Sequence, residues 1–72
     1  MDKNLIKIAR ILLSMSQQEL AEAVGVNHTL ISKIEAGTTN SSPEVIARIS
    51  EVFSTAGVDF NILYHLDNLM KK

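Results

Sequence analysis

The sequence predicts an all-α domain, a compact bundle of about five short helices. Three observations point there. Apolar residues recur three and four positions apart along nearly the whole chain, the period of a helix and not of a strand. Ser, Asn, Gly and Pro fall between the apolar stretches where helices start and stop. Hydrophobic residues make up 46% of the 72, yet Phe53, Phe60 and Tyr64 are the sole aromatics, so the core must be aliphatic. A chain of this length suits one domain, here 1–72, with no repeat, linker or low-complexity tract.

The first helix is expected from about Asp2 or Lys3 to Met15, with Ser14 and Ser16 disfavouring its continuation. Ser16 then serves as an N-cap, and Glu19, three residues on, completes a capping box. The second helix ends at Gly25, which enters the left-handed C′ conformation without a Cβ penalty. Asn27 caps a third helix from His28 to about Ala36, closed by Gly37, and Thr38 to Ser42 form a short polar loop. Ser42 caps a fourth helix with Pro43 at its first position, where the missing N–H has no intrahelical partner to lose. Its stripe is Val45, Ile46, Ile49, Val52 and Phe53, and Gly57 closes it. Asp59 caps a fifth helix bearing Phe60, Ile62, Leu63, Leu66, Leu69 and Met70, although Ala56 to Phe60 is equally readable as a short extended segment.

Gln17 to Ala36 carries the informative pattern. Two helices joined by a tight, glycine-containing turn form a helix-turn-helix unit. Ala21 falls at the crossing, where a larger side chain would push the helices apart. Leu20, Val24, Val26, Leu30 or Ile31, and Ile34 supply the apolar contacts beneath both helices.

With these residues the stretch MSQQELAEAVGVNHTLISKIEAGTTNSSPEVIARISEVF resembles the Cro and lambda-repressor family of helix-turn-helix domains, also called Xre. The resemblance covers about residues 3 to 57 and includes the preceding helix, Glu35 to Gly37, and the Ser-Pro-Glu start that follows. It implies a lambda-repressor-like fold whose third helix enters the DNA major groove, where all four base pairs are distinguishable. By this resemblance His28, Thr29 and Lys33 meet base edges, with Asn27 and Ser32 beside them. Gln17 and Gln18 grip phosphate or an outer base, and Thr38, Thr39 and Asn40 touch the DNA backbone. Arg10 and Glu35 correspond to a structural ion pair between the first and third helices.

The side-chain chemistry suits those roles: Lys donates to guanine, and a Thr methyl contacts thymine. Charge gives less support, because the formal net charge is −1. Lys33 is expected to be the one cation on the contact face, so phosphates would be held by hydroxyls, amides and backbone N–H groups. A shallow salt dependence follows from that expectation.

The first helix is apolar nearly all round: Leu5, Ile8, Ile11 and Leu12 stand beside the family stripe of Ile6, Ala9, Arg10 and Leu13. Such a helix is buried on more than one side. The fifth helix supplies the cover, either from the same chain or from a second copy. A homodimer is expected, with 58–72 contributing to dimerisation and Leu5, Phe60, Leu63 and Leu66 at the interface. Two-fold dimers of this motif read half-sites about 34 Å apart.

Cysteine is absent, which excludes disulfides and thiolate metal sites and fits a reducing cytoplasm. His28 and His65 are the sole histidines and have no ligand constellation around them, so no metal, cofactor or small-molecule ligand is expected. The serines stand at caps and turns, and no nucleophile–base pair is implied, so the chain is not expected to be an enzyme. Neither an export signal nor an apolar run long enough for a membrane span is present. The expected function is a cytoplasmic transcriptional repressor, reading a palindromic operator in double-stranded DNA as a homodimer. The rival is a protein-interaction module of the same fold, which the mild acidity favours.

Overall fold

The computed structural model describes residues 2–71; Met1 and Lys72, the ends of the expected domain, lie outside the described residues. Five helices follow in order: α1 (Lys3–Leu12), α2 (Gln17–Val24), α3 (His28–Ala36), α4 (Pro43–Thr55) and α5 (Phe60–Met70). Among the described residues there is no strand; Ala56 ends α4 in the right-handed helical region, and Asp59 caps α5.

Local chemistry explains each boundary. Asp2, Ser16, Asn27, Ser42 and Asp59 hold extended backbone, and each side chain accepts a hydrogen bond from an otherwise unpaired N–H of the first turn. At α2 the box is reciprocal: Glu19 N–H donates to Ser16 Oγ, and Ser16 N–H donates to Glu19 Oε1. Gly25 and Gly37 end α2 and α3 in the left-handed region, with φ of 83° and 78°.

The expectation that α1 runs to Met15 is corrected. It stops at Leu12 because Ser14 turns the chain with φ 55°, a conformation that disfavours any residue bearing a Cβ. The turn is held by Met15 N–H to the Arg10 carbonyl and by Arg10 Nη1 to the Met15 carbonyl, both at 2.9 Å.

One core, aliphatic but for Phe53, serves all five helices. Leu5, Ile6 and Ala9 of α1 meet Leu20, Ala21 and Val24 of α2, Ile31 and Ile34 of α3, Ile49 and Phe53 of α4, and Leu63 of α5. Burying one such large side chain contributes about 1.5–3 kcal/mol. α2 packs on α3 and α4, while α1 packs on α3 and α5. Of the two positions offered for the third helix, Ile31 is fully buried and Leu30 only partly.

The cover for α1 therefore comes from the same chain, and this corrects the expected interface. Leu5 and Leu63, expected against a second copy, are sealed in the core because α5 folds back on α1. Phe60 and Leu66 are half-buried. The apolar side chains left facing out are Ile11 and Leu12 on α1 and Ile62, Tyr64, Leu69 and Met70 on α5; Ile11 keeps 58% of its surface and Met70 72%. Asp67 is the buried acid of α5, matched by Lys71 one turn on at 3.1 Å, and Lys71 also approaches Asp2 at 3.9 Å. The hydrogen bond to Asp67, then its charge, raises the Lys71 pKa.

Candidate nucleic-acid interface

α3 presents two faces. Ile31 and Ile34 point into the core, which fixes the rotation of the helix and turns His28, Thr29 and Lys33 outward; Ser32 is half-buried beside them. Ala21 allows this placement: it is 2% exposed, and its carbonyl accepts from both Gly25 and Val26 N–H across the turn. Asn27 is exposed, but its Oδ1 is taken by Thr29 N–H at 2.8 Å, leaving the amide NH2 to face outward contacts.

Gln17 and Gln18 open α2, the former half-buried and the latter exposed. The Gln17 amide donates to Glu35 Oε1 at 3.3 Å, so this side chain is oriented from within the domain. Thr38 Oγ1 donates to the Lys33 carbonyl at 3.2 Å, and Thr39 and Asn40 continue the loop, half-buried and exposed respectively.

Arg10 and Glu35 meet beneath this surface as a two-pronged ion pair. Nε donates to Oε2 at 2.8 Å and Nη2 to Oε1 at 2.9 Å, with only 13% and 5% of the two side chains exposed. Hydrogen bonding to Glu35 pushes the Arg10 pKa still further up, against the opposing effect of burial. The pair ties α1 to α3.

Two cations near this surface escaped the sequence reading. Lys3 folds its side chain over the end of α3, where an added Cβ on Gly37 would lie 2.6 Å from Nζ. Lys7 lines a shallow depression with Arg10, Gln17, Ser32, Glu35 and Ala36. Lys33 is therefore joined by two further cations near this surface. The signal was readable: Lys3, Lys7 and Arg10 stand at i, i+4 and i+7, one face of a helix.

This arrangement has a counterpart among known families. A profile of the Cro/C1-type, Xre-like helix-turn-helix family matches residues 6–60, from the first turns of α1 to the start of α5. The chain belongs to the helix-turn-helix family. The family is one of DNA-binding transcription regulators and not of enzymes, and the fold is lambda-repressor-like. No curated protein and no solved structure gave a significant match. No helix among the described residues is long and apolar enough to cross a membrane. Nor do those residues hold a cluster of three or more potential metal ligands.

Proposed function

We propose that this helix-turn-helix chain is a cytoplasmic repressor that binds a short palindromic operator as a homodimer. The observation that carries the reading is the two-faced α3: a helix locked by Ile31 and Ile34 that turns His28, Thr29 and Lys33 outward. A helix of this width fits the major groove, and these side chains carry the donors and methyl that discriminate base pairs there. Asn27 and Ser32 flank them, while Gln17, Gln18, Thr38, Thr39 and Asn40 provide phosphate partners at the start of α2 and after α3. Unpaired N–H groups at the N-terminus of α2 add to phosphate binding.

The second copy is proposed on the apolar side chains that α1 and α5 leave exposed, Ile11, Leu12, Ile62 and Met70, with Phe60 and Leu66 at their margin. Selection of sites from random duplex DNA tests the reading. A two-fold consensus is expected, with Thr29→Ala and Lys33→Ala each relaxing one base position at about 1–3 kcal/mol. The same exposed apolar side chains favour, as a second reading, a protein-interaction module without DNA reading; failure of the unmutated protein to enrich any sequence would favour it.

A further inference from the structure

The described cations divide into two groups. Arg10, Arg48 and Lys71 are each paired with a carboxylate, on Glu35, Glu44 and Asp67 respectively. Among the described residues Lys3, Lys7 and Lys33 have no carboxylate within 4.0 Å. These three do not scatter: Lys33 is on α3, Lys3 covers Gly37 at its end, and Lys7 borders the depression shared with Gln17 and Ser32.

The acids that share a depression with Lys7 do not neutralise it. Glu35 is engaged through both oxygens by Arg10, and Asp67, which lines a second groove with Lys7 on the α5 side, is engaged by Lys71. Lys7 thus stands between two satisfied ion pairs and contributes one uncompensated positive charge. Lys3 does the same at the edge of the Thr38–Asn40 loop. A chain of net charge −1 in this way directs positive potential toward one side.

We propose that Lys3 and Lys7 extend the DNA-contacting surface onto α1, each meeting a backbone phosphate beside the base-reading helix. The inference rests on the DNA-binding reading above and adds a sequence-independent component to it. Phosphate contacts position the protein without specifying sequence. The salt dependence is then steeper than hydroxyls and amides alone would give, because each neutralised phosphate releases condensed counterion.

The test is the slope of log affinity against log salt, from fluorescence anisotropy on the selected duplex and on an unrelated one, over about 50–200 mM salt. Lys3→Ala and Lys7→Ala should each lower the slope by about 0.9, and weaken both duplexes alike. Lys7→Arg should restore it. Arg48→Ala removes the same net charge from α4, away from this surface, and should leave the slope unchanged. Circular dichroism melts accompany each variant. A double Lys3→Ala/Lys7→Ala variant that folds and keeps the original slope overturns the inference and leaves the regulator reading intact. An equal drop in Arg48→Ala also overturns it, since the effect would then be one of net charge. If the unmutated chain binds neither duplex, both the reading and this inference fall.

Discussion

The guanidinium of Arg10 and the carboxylate of Glu35 face each other as parallel forks at 2.8 and 2.9 Å, joining α1 to α3 across 25 residues of chain. Gln17 adds a third hydrogen bond to the same carboxylate, so α1, α2 and α3 all converge on one acid. The orientation of α3 is therefore fixed from below by hydrophobic packing and from the side by this acid.

Removing one partner leaves the other charge poorly solvated. Glu35→Ala is expected to lower stability by about 3 kcal/mol, at the lower end for buried pairs because Arg10 retains some water contact. Arg10→Met/Glu35→Leu together should recover most of that loss, since a buried ion pair and an apolar pair of similar volume are close in energy. Urea unfolding of the two variants decides it, and a double variant as unstable as Glu35→Ala would show that the pair is needed for more than charge balance.

Ala21 sets how closely α2 and α3 approach. Ala21→Leu should destabilise by about 1–3 kcal/mol through overpacking. For a domain of this size each kcal/mol lowers the melting temperature by roughly 4–8 °C. An unchanged melting temperature would mean that the crossing has slack the packing does not suggest.

Asn27 has two separable roles. Asn27→Ala removes the cap on Thr29 N–H and should lower stability by about 1 kcal/mol. Asn27→Asp keeps the cap and should leave stability intact, yet it places a negative charge at the start of α3 and should weaken DNA binding. Equal affinity in Asn27→Asp and the unmutated chain would remove Asn27 from the interface.

Acid should loosen the start of α2. Glu19 has its pKa lowered, first by the hydrogen bond from Ser16 N–H and then by the Ser16 side chain. A lowered folded-state pKa contributes stability that is present above the ordinary carboxylate range and is lost as pH falls through that range to the depressed value. Glu19→Gln can still accept from Ser16 N–H but no longer titrates. Its unfolding midpoint, measured between neutral pH and acid, should therefore fall less than that of the unmutated chain.

The proposed dimer predicts a concentration-dependent mass. Sedimentation equilibrium at tens of micromolar should give two copies, and Ile11→Lys/Met70→Lys should shift the equilibrium to one while helix content is unchanged. A monomer for the unmutated chain without DNA would remove the dimer from the proposal.

Helix order, caps and the aliphatic core were legible because each depends on neighbours in sequence: Ser16 with Glu19, Asn27 with Thr29, Pro43 after Ser42. The turn at Ser14 was less so, since it is held by a side-chain contact from Arg10 to the Met15 carbonyl that apolar periodicity does not reveal. Leu5 and Leu63, expected at an interface, lie in the core of the chain itself for a related reason. Apolar periodicity marks a face to be buried without saying whether the same chain or another covers it, and here α5 does so. Lys3 and Lys7 escaped because a cation's meaning depends on which acids are already taken, and that is a property of the assembled surface.

The bridge from Lys71 to Asp2 has a practical consequence for any experiment on this chain. It brings the last turn of α5 beside the first turn of α1. The neighbouring Lys3 reaches Gly37 at the end of α3. A polypeptide fused to either end is thus tethered at one corner, a single lysine side chain from the proposed contact surface. Its effective concentration there is set by its length and stiffness. A polyhistidine or basic purification tag would add its own phosphate contacts from that corner, so binding isotherms are comparable only after the tag is cleaved.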